Sequence, residues 1–228
     1  MGKSKKIFSV IVLSLVLGVG CSAEKDFSSM EASEIVEKTQ SALEKISGEA
    51  LHTVETTAIT YPEGTDTVEI ERWYVDGNCL YVGKQSDGII TTRIQYDDKV
   101  YTKTSVNENW IQTKEIGAFG PFGVKKDTAE QFSENSIVSW KEENGEYYIE
   151  FSSLPIESAQ KYKKNQITLC YSKKWELLRV ETLAEYSMES WVDGTVTEVV
   201  AKSIIEYQDT SAKQIKKQIE DTYELVCE

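Results

Sequence analysis

The sequence predicts an α+β fold: a large antiparallel β-sheet, a helix before it, and short helices inserted within it and at its end. Three observations carry this. From Ala50 onward, apolar residues recur with a period of two. The runs are divided by Asp76-Gly77, Asp87-Gly88, Asp97-Asp98, Asn144-Gly145 and Asp193-Gly194, turns too short for the crossovers that parallel neighbours need. On the flanks the period is helical: Ile35, Val36, Thr39, Ala42, Leu43 and Ile46 share one face, and Ile215, Ile219 and Tyr223 another.

The chain opens with Lys3, Lys5 and Lys6, then an uncharged apolar run from Ile7 to Gly20. This is the layout of a secretory signal. The run is shorter than the roughly twenty residues a membrane-spanning helix needs. Leu17-Gly18-Val19-Gly20-Cys21 resembles the lipobox of bacterial lipoproteins, with Gly18 where that motif prefers Leu. The resemblance implies cleavage after residue 20 and a diacylglyceryl group on Cys21. Residues 21–27 then form a tether; the six residues from Ser22 reach roughly 20 Å when extended. Residues 28–228 read as a single domain, because no linker rich in Pro, Gly or Ser divides them.

Ser28 and Glu31 predict a capping box for the first helix, and Gly48 its end. Val68, Ile70 and Tyr74 alternate with Glu69 and Glu71, and strands follow at Cys79–Val82, Ile89–Tyr96, Val100–Thr104 and near Trp110–Thr113. Ile116 to Val124 then breaks the pattern. Gly117, Gly120, Gly123 and Pro121 make it a loop, yet Ile116, Phe119, Phe122 and Val124 make that loop apolar. These four are the candidate ligand-contacting residues, either as a fixed plug at the open end of the sheet or as a gate over a cavity. Helical pieces are expected at about 128–134 and 156–164. Long strands close the sheet. Leu178, Val180, Thr182, Ala184, Tyr186 and Met188 share one face, as do Val199, Ala201, Ser203, Ile205 and Tyr207. The total is roughly nine or ten strands.

Without its first 20 residues the chain keeps 22 basic and 38 acidic side chains, net −16. That charge repels phosphates and argues against nucleic-acid binding. It also argues against electrostatic docking on anionic lipid, leaving membrane attachment to the acyl chains. Cys79, Cys170 and Cys227 are an odd set, and the compartment permits one disulfide. Cys79 and Cys170 fall in strands and read as small buried residues. No metal-ligand spacing exists and His52 is the sole histidine, so neither metal nor cofactor is expected. No nucleophile, zinc or phosphate-loop motif is present; no catalytic residue is named, and the chain reads as a non-enzyme. The five tryptophans lie in or beside strands, where packing is the ordinary role and sugar stacking the rarer one. Lys161, Lys163, Lys164, Lys173 and Lys174 form a basic cluster in sequence.

Two segments repeat an aromatic, an acidic turn and an aromatic: Tyr74-Val75-Asp76-Gly77-Asn78-Cys79-Leu80-Tyr81 and Tyr96-Asp97-Asp98-Lys99-Val100-Tyr101. With the leading helix and the long meander, the order of elements over Ser28–Tyr207 resembles the LolA-like superfamily of lipoprotein carriers, localisation factors and related lipoproteins. The resemblance implies a strongly curved sheet, an incomplete barrel whose concave face is covered by helices, and often an apolar cavity for lipid or acyl chains there. It carries over no site residue. The expectation is a lipoprotein on the outer face of the cytoplasmic membrane, in a lysine-rich, arginine-poor chain of Gram-positive character. Its partners would be membrane lipid through the anchor and an apolar ligand or another lipoprotein's acyl chains. The alternative is a structural or sensory surface protein with a filled core; a hydrolase acting on wall polymer stands further off.

Overall fold

The computed structural model of the chain describes residues 26–46, 50–113, 132–152, 161–189 and 194–227. Helix α1 (Ala32–Ile46) leads into β1 (Leu51–Tyr61), β2 (Gly64–Val75), β3 (Asn78–Gln85), β4 (Ile90–Tyr96), β5 (Lys99–Thr104) and β6 (Asn107–Thr113). A second run follows: β7 (Ile137–Glu143), β8 (Glu146–Ser152), β9 (Lys161–Ser172), β10 (Leu177–Glu189), β11 (Val196–Tyr207) and helix α2 (Ala212–Cys227). The eleven strands of the described residues form one antiparallel sheet in the order β6-β5-β4-β3-β2-β1-β11-β10-β9-β8-β7. The sheet is open, with β6 and β7 at its edges, as an incomplete barrel requires. Two meanders therefore meet at its centre, where β1 pairs with β11 from Thr53↔Tyr207 to Thr60↔Val200.

The turn residues do what their chemistry allows. Asp76 and Gly77, Asp97 and Asp98, and Asn144 and Gly145 all have positive φ, the conformation a two-residue hairpin turn of the right twist needs.

Register divides the side chains between two faces. Glu55, Ile70, Ile205, Val180, Leu169 and Ile149 are mutual partners on one face, and Val54, Glu71, Val82 and Glu206 lie on the other. Helix α1 packs on the first. Its Ile35, Val36, Ala42 and Leu43 join Phe27, Met30, Phe132, Ile149, Phe151, Leu169, Tyr171, Leu177 and Val180 in one core. Helix α2 packs on the second, over the other meander. Ile215 and Ile219 join Val75, Leu80 and Ile94, flanked by Trp73, Tyr101 and Trp110, and Tyr223 stacks on Tyr96 at 4.3 Å. The α1 face also buries Thr53, Cys79, Val100 and Val199, each 2% exposed, whereas the other face of β11 leaves Lys202, Ile204 and Glu206 in solvent. The α1 face is thus the inner one. The family resemblance implies helices gathered on one concave face; among the described residues, α1 lies on the inner face and α2 on the opposite one.

Four local expectations change. The helix start is not a Ser28–Glu31 box: Asp26 caps a 3₁₀ turn at Phe27–Ser29, and Glu31 N–H donates to the Glu34 carboxylate at 2.9 Å. Phe27, counted with the tether, is buried and stacks on Tyr147 at 4.0 Å. From Lys161 onward the 156–164 segment is strand, because β10 pairs with it from Lys161↔Ser187 to Lys164↔Glu185, with a bulge at Lys163; residues 156–160 lie outside the described residues. Residues 128–131 lie outside the described residues, and Phe132, in the described end of the 128–134 segment, is not helical. It is pinned under α1, its carbonyl accepting from Gln40 Nε2 at 2.9 Å and its ring against Phe151 at 4.7 Å.

Candidate functional site

Cys21 and the loop residues Ile116, Phe119, Phe122 and Val124 lie outside the described residues. So does Trp191. The basic cluster does not assemble: Lys163 and Lys164 sit at the start of β9, and Lys173 and Lys174 lie beyond its other end. Lys163 pairs with Glu198 at 2.6 Å and Lys173 with Glu142 at 2.7 Å. Trp73 stacks on His52 at 5.0 Å, Trp140 packs on the α1 core and Trp110 on the α2 core, so these three serve as packing residues. His52 is held on both sides, Nε2–H donating to Glu71 Oε1 at 2.9 Å and Nδ1 bonded to Thr210 Oγ1 at 2.8 Å. Among the described residues, no three His, Cys, Asp or Glu side chains converge as a metal site, and no helix is long and apolar enough to cross a membrane.

Strand register brings together a different site. A cleft of about 520 Å³ opens between the last turn of α1 and the ends of β1, β10 and β11. That volume is within the roughly 300–1,000 Å³ typical of small-molecule sites. Ala42, Ile46, Leu51, Leu177, Trp175 and Tyr207 supply its apolar lining; Lys45, Glu176, Gln208 and Asp209 are among its polar ones. The lip is strained: Trp175 has φ +62°, a left-handed conformation that bulky residues seldom adopt. It is held there by rings, with Phe27 at 5.8 Å, Tyr147 and Tyr171 at 5.5 Å, and the Lys38 ammonium at 5.2 Å.

Leu51 and Tyr207 carry the inner face out of this cleft, and next along the sheet stands a buried ion pair. Arg72 Nη1 donates to Glu55 Oε2 at 2.6 Å, with 11% and 14% of the two side chains exposed. Thr57 and Ser203 hydroxyls donate to Glu55 Oε1, each at 2.9 Å. Burial pushes the Glu55 carboxyl up, but the charge and hydrogen bond of Arg72, joined by the two hydroxyls, outweigh it and hold the group below its ordinary value. The guanidinium lies over the Tyr81 ring at 5.7 Å. That ring in turn lies on Gly83, where an added Cβ would stand 2.6 Å from Tyr81 Oη; glycine is what lets the tyrosine lie flat.

Among the described residues, five buried side-chain polar atoms have no hydrogen-bond partner: Thr39 Oγ1, Thr53 Oγ1, Gln95 Oε1, Thr102 Oγ1 and Tyr171 Oη. Four lie on the inner face, and the fifth is on the helix seated there. The sequence held a signal for this site that apolar periodicity passes over. Val68, Ile70, Arg72 and Tyr74 share one parity, so the alternation that makes β2 a strand also sends a charged residue inward.

No family model matches the sequence, and no curated protein matches it. Among solved structures the chain is similar to a DUF1329 family protein from Desulfovibrio piger, at 10% identity and a TM-score of 0.31, over 79% of this chain and 92% of that one. A likeness this distant carries nothing over to the site.

Proposed function

We propose that this chain is a membrane-tethered extracytoplasmic lipoprotein, anchored through a diacylglyceryl group on Cys21, that holds an apolar ligand or acyl chains between α1 and the inner face of its sheet. The observation that carries the binding reading is the cleft of about 520 Å³. It has a ligand's size, its apolar lining continues onto the inner face through Leu51 and Tyr207, and a strained tryptophan forms its lip. Ile116, Phe119, Phe122 and Val124 remain candidates for covering such a ligand. The anchor rests on the residues around Cys21 and would place the protein on the outer face of the cytoplasmic membrane.

Two measurements test the parts separately. In native mass spectrometry, the full chain should carry a lipid-sized adduct beyond the anchor, and an Ala42→Trp variant that fills the cleft should lose it while keeping a wild-type circular dichroism spectrum. No adduct, together with no uptake of an environment-sensitive apolar dye, would overturn the binding reading in favour of a filled core acting through protein contacts. A Cys21→Ser protein should leave the membrane fraction while still folded; equal membrane retention would remove the anchor.

A further inference from the structure

The inner face carries a polar row that runs straight across the strands. Thr102, Arg93, Tyr81, Arg72, Thr53 and Tyr207 are successive register partners on β5, β4, β3, β2, β1 and β11. At ~4.8 Å per strand the row is about 24 Å long. Its composition runs against the rest of the chain. The sequence has three arginines and a net charge of −13, yet two of the three stand on this line, Arg72 largely buried and Arg93 exposed to solvent.

Two of the unpartnered hydroxyls belong to the same row. Thr53 is 2% exposed and its Oγ1 has no partner; Thr102 Oγ1 is also buried and without one. A buried hydroxyl left bare is destabilising; the two lie four strand spacings apart, about 19 Å, so a single polar group from outside the chain would meet Thr53, which stands between Arg72 and Tyr207, and not Thr102. The row also ends in a ligand-sized space, since Tyr207, its β11 member, lines the cleft.

We infer that this row recognises the anionic head, a carboxylate or a phosphate, of the amphiphile whose apolar part occupies the cleft; the inference rests on the binding reading above. The chemistry fits. A guanidinium offers five N–H donors in a planar fork that matches the oxygens of both anions, so a bond to Glu55 and a bond to a ligand are compatible. Threonine and tyrosine hydroxyls add neutral donors. Burial pushes the Tyr207 hydroxyl up to about 12 despite the opposing charge of Arg72, so it stays protonated and able to donate. The stack of Arg72 on Tyr81, and of Tyr81 on Gly83, fixes the plane of the fork.

The test uses the full chain, stripped of co-purified lipid, and three probes of one chain length: palmitate, hexadecyl phosphate and hexadecanol. The two anions should bind at least about tenfold more tightly than the alcohol, the size of effect one charge-assisted hydrogen bond gives, and the tighter of the two identifies the head as carboxylate or phosphate. Arg93→Gln and Thr53→Val should each reduce that preference while hexadecanol binding holds. Arg72 is tested only with its partner, as Arg72→Gln/Glu55→Gln, so that no charge is left buried alone. Equal affinity for all three probes would overturn the inference and leave the cleft reading standing. An anion preference undiminished in all three variants would overturn it too, by placing the anion elsewhere. Failure of every probe to bind would sink the binding reading itself.

Discussion

Glu55 and Arg72 show how one residue pair can decide the behaviour of a sheet. Taking a carboxylate out of water costs energy, and here the guanidinium 2.6 Å away and two hydroxyls offset it. Removing one partner leaves the other charge buried alone. Glu55→Gln should therefore cost about 3 kcal/mol in urea unfolding at neutral pH, whereas Glu55→Met/Arg72→Met should stay within about 1 kcal/mol of wild type. The pH dependence follows from the direction of the Glu55 shift. A carboxyl lowered in the folded state stabilises the fold above its unfolded value, 4.5, and that stability is lost as pH falls through the folded value. The wild type should lose more stability than the double methionine variant between neutral pH and about pH 3; parallel losses would show that other carboxylates dominate. The thiols make a second prediction at this scale. Burial pushes Cys79 up to about 12 and Cys170 up to about 11, and register puts them on opposite faces, since Cys79 partners Gln95 and Cys170 partners Arg179. A thiol reagent should modify exposed Cys227 and spare the other two until the protein unfolds. Labelling of Cys170 at the rate of Cys227 would mean that β9 opens readily.

At the scale of elements, α1 is held by both apolar fit and an imperfect polar contact. Leu43 is 2% exposed in its core, so Leu43→Ala should cost about 2–5 kcal/mol. Thr39 and Tyr171 are fully buried, and their hydroxyls lie near one another without a well-formed hydrogen bond. Thr39→Val keeps the shape and removes one bare hydroxyl, so its stability should match or exceed that of the wild type; a loss as large as that of Leu43→Ala would mean the hydroxyl is bonded in solution. Elements were the legible level of this sequence. Hairpin turns announce themselves locally, since Asp76-Gly77 and Asn144-Gly145 carry the positive φ their residue types favour, and β11 and β10 from Val180 onward place their alternating residues on the faces the period of two assigns, while a bulge at Leu178 lets Leu177 enter the core in its stead. Helix α2 spans the Ile215–Ile219–Tyr223 face as its spacing indicates. What failed was local reading overruled by tertiary partners: β10 draws Lys161–Lys164 into a strand, and α1 and Phe151 hold Phe132. The site was less legible still. Arg72 stood at an inward parity in plain view, but its partner Glu55 lies on another strand, and the cleft is made by elements far apart in the chain.

At the scale of the molecule, the decisive feature is the seam between β1 and β11. Each meander has its own helix and its own core, one on each face, an arrangement that could unfold in two steps. The seam argues for one. It runs through eight register pairs, is extended by the bond from Gln208 N–H to the His52 carbonyl at 2.9 Å, and holds residues of both cores on neighbouring strands. Ile205 and Tyr207 on β11 pack on the α1 core, while His52 on β1 stacks on Trp73 of the α2 core. The ion pair beside it ties β2 to β1, and Ser203 of β11 donates to that same Glu55. Neither core can be lost without stripping partners from the strand that carries the other. Pairing of strands so distant in sequence also makes folding slow, because loop closure precedes the contacts that reward it. The expected outcome is a single cooperative transition. Leu43→Ala in one core and Ile219→Ala in the other should lower the same urea midpoint, with circular dichroism and tryptophan fluorescence tracing one curve. Amides of β3 and β9, strands from different halves, should share one protection free energy in hydrogen exchange. If Ile219→Ala releases β3 and β4 while β8 and β9 keep wild-type protection, the two meanders are separate folding units and the seam is only a docking surface between them.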